Sequence, residues 1–399
     1  MISDFPFYSQ GKDVPIYLDS AATTLKPVSV LSAMYDYDAN YTANIHRSSV
    51  QNQATLEYEN TRDKVKSFIN ANHREEIIFT PNCTHSINMV ANSIYAKRAN
   101  KIIVTEVEHH SNIVPWLQTG RSKHAGLEVI NVVDNSFYQN LEATCAKYPS
   151  SLVAIPHIPN SFSVVFDIKV VTKIAHKHDC LVMVDGSQAV GFMQVDVKYS
   201  DVDFYVFSAH KMFGPTGVGV LYAKQELLEH ISPLVVGGGM VGSTVNWSRF
   251  DMGELPFRLE AGTPNISGVI GLGAAIDWIT SQGIDKINAH DREMIAQAYQ
   301  QFYKKLRGVS VLASSHHYDH VPSSNILCFT VKDVAHEDLA YWFDSHNIIV
   351  RTGGLCARPG LERYNSGGIV RISVGPYTRK HDINTFIEVF SEGIEQFRG

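Results

Sequence analysis

Two spacings of apolar residues alternate along the first two-thirds of the chain. Short, continuous apolar runs recur at Ile77-Ile-Phe79, Lys101-Ile-Ile-Val-Thr105, Leu127 to Val133, Leu152 to Ile158, Leu181-Val-Met-Val-Asp185, Phe204 to Phe207 and Val218 to Tyr222. Runs of that length, apolar at every position, mark strands buried on both faces. Between them lie stretches with helical spacing. Gln51 to Ile69 sets Leu56, Val65, Phe68 and Ile69 on one face, a second stretch turns Ile87, Val90 and Ile94 inward, and a third covers Val170 to His178. Lys26-Pro27 opens an earlier helix, after the short strand Ile16-Tyr-Leu18 and the small-residue turn Asp19-Ser-Ala-Ala22. Strand and helix in alternation predict an α/β fold with a mainly parallel sheet.

The pattern changes after Arg258-Leu-Glu-Ala-Gly-Thr-Pro264, where an amphipathic helix is expected to run through Trp278. Beyond it come helices near Ala289 to Leu306 and His336 to His346, a strand at Asn325 to Val331 and a last helix from Asp382. The expected division is an N-terminal segment 1–20, a large domain 21–264 and a smaller C-terminal α/β domain 265–399. The 399 residues provide ample core for that division.

Composition narrows the partners. With 44% hydrophobic and 19% charged residues the chain is of the ordinary globular class. Its net charge of −6 argues against nucleic acid or an anionic membrane surface as a standing partner. No apolar run reaches the length of a membrane span, and the start lacks the basic-then-apolar pattern of a secretory signal. Five scattered cysteines (Cys83, Cys145, Cys180, Cys328, Cys356) fit reduced thiols in a cytoplasmic protein better than a disulfide framework. No cysteine spacing points to zinc, and the His-His pairs at His109 and His316 are not metal-like, the second lying in a polar loop with His320.

Candidate chemistry collects at the ends of the apolar runs, where ligands sit in open α/β sheets. The run Phe204 to Phe207 breaks at Ser208-Ala-His-Lys211, passes Gly214-Pro215 and resumes at Val218. A lysine at such a mouth has its ammonium disfavoured by apolar neighbours and becomes a nucleophilic amine. Asp185 follows four apolar residues, and a carboxylate there needs a partner to offset desolvation. His109, within Glu108-His-His-Ser-Asn-Ile-Val-Pro-Trp116, and Asn160, within Pro156-His-Ile-Pro-Asn160, end two other runs. Thr84 lies where a helix begins, a natural phosphate site that simple N-capping would also explain. In the C-terminal part, Ile348-Ile-Val-Arg-Thr-Gly-Gly-Leu-Cys-Ala-Arg358 places Cys356 in a glycine-rich loop, with Arg351 and Arg358 positioned to favour a thiolate.

These segments together resemble the cysteine desulfurases of the Suf type, within the class V aminotransferases of pyridoxal-phosphate fold type I. The residues that carry the resemblance are Tyr-Leu-Asp-Ser-Ala-Ala (17–22), Glu-His-His with Asn-Ile-Val-Pro-Trp (108–116), Val-Asp-Gly-Ser-Gln-Ala (184–189), Phe-Ser-Ala-His-Lys (207–211), Glu-Ala-Gly-Thr-Pro (260–264) and Arg-Thr-Gly with Cys (351–356). The short interval from Cys356 to Arg371 is like that of the Suf branch. The resemblance implies a seven-stranded, mainly parallel sheet in the large domain and the N-terminal segment packed on the small one. It implies pyridoxal 5'-phosphate held covalently by Lys211, with Asp185 on the pyridine nitrogen, His109 against the ring and Gln188 on the phenolic oxygen. Cys83, Thr84, Ser208 and His210 would surround the phosphate, with Thr263 reaching it from the second subunit of a homodimer. Asn160 and Arg371 would hold the carboxylate of L-cysteine. Cys356 would take the sulfur as a persulfide for a SufE-like acceptor protein, leaving alanine.

The chain departs from the family's usual pattern in three places. Gly354-Leu355 stands where relatives carry two histidines, Asn82-Cys83-Thr84 replaces a Gly-Thr-Thr turn, and Ser163 replaces a glycine beyond Asn160. The rival readings are a selenocysteine lyase, another class V aminotransferase or carbon–sulfur lyase, and a binding protein that keeps the fold without turnover.

Overall fold

A computed structural model of the chain describes residues 1–9, 11, 14–45, 53–94, 99–123, 126–132, 136–312, 323–362 and 367–398. The start of the helix expected from Gln51, part of the polar loop 44–48, Val133, His316 and His320 lie outside the described residues. In chain order the strands are β1 (Ile16–Tyr17), β2 (Ile77–Thr80), β3 (Ile102–Thr105), β4 (Leu127–Ile130), β5 (Leu152–Pro156), β6 (Leu181–Asp185), β7 (Phe204–Ser208), β8 (Gly219–Ala223), β9 (Val241–Val245), β10 (Phe250–Met252), β11 (Val309–Val311), β12 (Ile326–Val331), β13 (Ile348–Ile349), β14 (Arg351–Gly353) and β15 (Ile369–Ser373).

Seven of them form one sheet in the order β2-β8-β7-β6-β5-β3-β4. Pairs from β4 through β7 are parallel, and β8 runs antiparallel to both β7 and β2. The continuous apolar runs are explained by what covers the sheet. Ile77, Phe79, Ile103, Val153, Ile155, Val182, Val184, Tyr205 and Phe207 enter one core, and the alternate residues Ile78, Ile102, Val104, Ala154, Met183, Phe204 and Val206 enter another. With successive side chains on opposite faces, both sets are buried, each large aliphatic or aromatic side chain contributing roughly 1.5–3 kcal/mol. Helix Ile168–His176 begins where the Asp167 carboxylate accepts from the Val170 N–H at 3.1 Å, a side-chain cap.

A second, antiparallel sheet has the order β11-β12-β15-β14 and its own core, from Met294 and Phe302 to Phe390. The N-terminal segment touches both parts. β1 pairs parallel with β13 and Leu18 enters the second core, while the Phe5 ring meets Trp278 and Tyr377 at 5.2 and 4.8 Å.

Two expectations need correction. Leu56 is exposed: Val65 and Ile69 are buried as expected, but the rest of the inward face of helix Gln53–Phe68 is Ala54, Tyr58, Thr61 and Arg62. Arg62 can face inward because Glu260 neutralises it at 2.7 Å, an ion pair no hydrophobic count detects. The helix through Trp278, Ile266–Gln282, is apolar nearly all round rather than amphipathic, since it lies between helices Val28–Asp36 and Gln53–Phe68. Gly273 makes that approach possible, as a Cβ there would stand 2.4 Å from the Thr61 hydroxyl. Its apolar residues join the core of the large sheet.

Candidate active site

The parallel strands deliver their C-terminal ends to one edge of the large sheet, and the loops there meet the β14–β15 edge of the second sheet. Between them lies a cleft of about 390 Å³. Cys83, Thr84, His109, Asn160, Asp185, Ser208, His210, Lys211, Cys356 and Arg371 all line it, joined by Ala21, Ala22, Ser111 and Arg351. Two expected residues are not in this lining, one of them, Thr263, being expected in a second subunit's site. Gln188 is buried, its Nε2 donating to the Ala21 carbonyl at 2.8 Å, and is not part of the lining. Thr263 lines a separate cavity of about 780 Å³ beside the β9–β10 hairpin.

Lys211 ends the turn after β7, and three hydrogen bonds from Thr23 and Thr24 onto the His210 carbonyl hold that turn against the N-terminal loop. Desolvation lowers the Lys211 ammonium from its ordinary value, against the raising pull of Asp185. A lowered pKa is what a nucleophilic amine requires. Asp185 ends β6. Its Oδ1 accepts from the Ser187 N–H at 2.9 Å and from the Cys83 thiol at 3.5 Å. Burial and that neighbouring carboxylate push the Cys83 thiol well up, so it stays protonated and serves as a donor. Gly219 lets the turn at Asn82 close on β8, since a Cβ there would lie 2.5 Å from the Asn82 carbonyl carbon.

His109 sits on the loop after β3. Its Nδ1 accepts from the Ser111 N–H at 3.1 Å, which leaves the proton on Nε2 of the neutral ring. Desolvation first, then Lys211, lowers its pKa to about 4, so it is neutral through the physiological range. The Ser111 hydroxyl lies 3.0 Å from that Nδ1 and 2.8 Å from the Thr84 hydroxyl, bridging two residues the sequence had singled out. Behind the loop, buried Glu108 accepts from Thr105 and from Asn112, which in turn accepts from the Trp116 indole at 2.9 Å. Burial outweighs those bonds and raises the Glu108 carboxyl to about 8.

The second sheet supplies the remainder. Arg371, on β15, pairs with Asp19 at 2.8 Å and donates to the Asn160 carbonyl at 3.1 Å. Asp19 is the residue the sequence reading missed; its signal was its place in the quoted 17–22 segment. The Arg371 Nε and the Asn160 Oδ1 are both buried with no hydrogen-bond partner among the described residues. An unpaired buried donor and acceptor in one cleft carry a desolvation cost of about 1–3 kcal/mol each, which a bound polar ligand would relieve. Cys356 is exposed, while the other four cysteines are buried.

The donor set fits pyridoxal phosphate. Thr84, Ser208, His210 and the start of helix Cys83–Ile94 offer an anion site, Asp185 a counter-charge and Lys211 an amine. Residues 16–386 match the Aminotransferase class-V family, and the chain belongs to that family. A probable cysteine desulfurase of Halalkalibacterium halodurans is 37% identical over 391 residues, spanning 96% of this chain and 94% of that protein. Among solved structures, the apo cysteine desulfurase of Thermococcus onnurineus superposes with a TM-score of 0.91 at 32% identity, covering 99% of this chain and 97% of that one. The Escherichia coli cysteine desulfurase CsdA gives 0.87 at 33% identity, covering 99% and 98%.

Proposed function

We propose that the protein is a pyridoxal-phosphate-dependent cysteine desulfurase that removes sulfur from L-cysteine as a Cys356 persulfide and releases L-alanine. The observation that carries this reading is the juxtaposition in one cleft of a lysine amine with lowered pKa, a buried aspartate, an arginine with an unpaired Nε and the one exposed cysteine. Relatives at more than 30% identity over nearly the whole chain carry the same name.

In this reading Lys211 holds the cofactor and Asp185 keeps its ring nitrogen protonated. Thr84, Ser208 and His210 bind its phosphate with the helix terminus behind them, and His109 positions the ring. When bound, the cofactor supplies an electron sink for the charge left at the substrate Cα. Arg371 and Asn160 orient the substrate carboxylate, the arginine already fixed by Asp19. The Lys211 amine moves the Cα proton. The Cys356 thiolate then attacks the substrate sulfur: an S–S bond forms, the Cβ–S bond breaks, and its electron pair stays with the carbon skeleton, which is protonated and leaves as alanine. No external oxidant is needed: passing the outer sulfur to an acceptor thiol is redox-neutral, and its release as sulfide takes two electrons from a reductant.

We also read the protein as a cytoplasmic homodimer. Five unpaired thiols suit a reducing compartment. Val245, Trp247, Phe250 and Met252 are exposed on and around the β9–β10 hairpin, beside the cavity that holds Thr263, and a second subunit would cover them and bring Thr263 to the partner's phosphate site. The exposure of Cys356 admits a SufE-like acceptor carrying its own nucleophilic thiol. Incubation with L-cysteine and a reductant tests the activity: alanine and sulfide should appear in equal amounts, and alanine without sulfide would reject it.

A further inference from the structure

The loop that presents Cys356 is strained. Leu355 and Cys356, neither of them glycine, take φ of 45° and 55° in succession, left-handed values that cost a non-glycine residue free energy unless neighbours impose them. Both strained residues have their carbonyls bound from the large sheet. The Leu355 carbonyl accepts from the Asn160 Nδ2 at 2.7 Å, and the Cys356 carbonyl accepts from the His110 N–H at 2.7 Å. The amide orientation of Asn160 follows from this contact, because only its NH2 can donate to a carbonyl. Leu355 and Asn160 are both buried, so the bond is shielded from competing water.

Asn160 is itself fixed to the second sheet at two further points. Its carbonyl accepts from Arg371, and three residues on, the Ser163 hydroxyl donates to the Ile326 carbonyl of β12. Ser163 thus adds a side-chain tie beside Asn160, and Leu355 places a buried apolar side chain in the cysteine loop.

We propose that Asn160 is a positioning residue for Cys356, latching its loop in the left-handed conformation from which the thiol faces the cleft. This deepens the desulfurase reading, on which the identity of Cys356 as nucleophile rests. Asn160 lines the same cleft, and its buried Oδ1 has no hydrogen-bond partner among the described residues, so one residue borders both the substrate space and the nucleophile's loop.

Hydrogen–deuterium exchange of the full-length holoenzyme, without substrate, tests the latch. The amides of Ala357 and Arg358, bound to the Gly354 carbonyl and the His110 Nε2, report the loop. In Asn160→Asp, which keeps the shape but loses the donor, they should exchange about tenfold faster, the loss of a single buried hydrogen bond. Exchange in β6 should stay unchanged, and the visible band of the bound cofactor should persist. A residue serving only the substrate carboxylate would leave loop exchange at the wild-type rate, and that result overturns the proposal. So does faster exchange spread over β6 as well, which would mean general loosening. If Asn160→Asp does not fold, Asn160→Ser, too short to reach Leu355, gives the same measurement. Because exchange needs no turnover, failure of the desulfurase reading appears separately, as wild-type enzyme that yields no sulfide.

Discussion

Replacing Arg62 by Met should be among the most damaging single changes outside the cleft. The guanidinium is fully buried, with Nη1 and Nη2 on the two Glu260 oxygens at 2.7 and 3.0 Å. It also donates to the Ile77 carbonyl at 2.7 Å and stacks on Phe79 at 4.6 Å. Glu260 begins the 260–264 loop and further accepts from the Phe79 N–H at 2.7 Å and the Tyr58 hydroxyl at 3.1 Å. Methionine fills much of the stem's volume, so the cavity term is small and the principal loss is electrostatic. An uncompensated buried charge costs about 3–5 kcal/mol. An unfolding entropy of about 2.1 cal/mol/K per residue gives about 0.8 kcal/mol/K over the 399 residues, so Tm should fall by about 4–6 °C. Scanning calorimetry of Arg62→Met and of the double variant Arg62→Met/Glu260→Met decides the case. Removing both charges should cost less than removing one. A single-variant shift below about 1 °C, or a double variant worse than the single, would refute the reasoning.

Three further outcomes follow from the site and the charge network. Lys211→Ala should abolish borohydride-fixed labelling by the cofactor, which in the wild type should map to Lys211; a label on another lysine would move the site. Asp185→Asn should slow exchange of the substrate Cα hydrogen by roughly 10²–10³, the scale of losing a preorganised electrostatic partner, and a near-wild-type rate would remove Asp185 from its role. His176 bonds the buried Asp203 at 2.8 Å, which raises the imidazole pKa above its ordinary value. A raised folded pKa means that its stabilisation is fully present below the unfolded pKa of about 6.5 and fades as pH climbs through the folded value. His176→Gln should therefore lower Tm more at pH 6 than at pH 9, and an equal loss at both would contradict the assignment.

Much of the cleft was legible because its residues end apolar runs. Lys211, Asp185, His109 and Asn160 each follow a strand that the hydrophobic pattern marks, and a parallel sheet brings such ends to one edge. The pairings were not legible, since they join residues far apart in sequence. Asp19 and Arg371, or Asn160 and Leu355, meet only after β1 and the β14–β15 edge have docked on the large sheet. Local reading failed for Leu56 because the inward face of its helix carries Ala54, Tyr58 and Val65 together with Arg62, whose charge Glu260 neutralises.

In the proposed reaction Cys356 takes the substrate's sulfur. Mass spectrometry of the holoenzyme after brief treatment with L-cysteine, without reductant, tests it most directly. A one-sulfur adduct on the Cys356 peptide, absent from the buried cysteines, with alanine formed in matching amount, is the predicted result. Unmodified Cys356 in an enzyme that still turns over cysteine would contradict it.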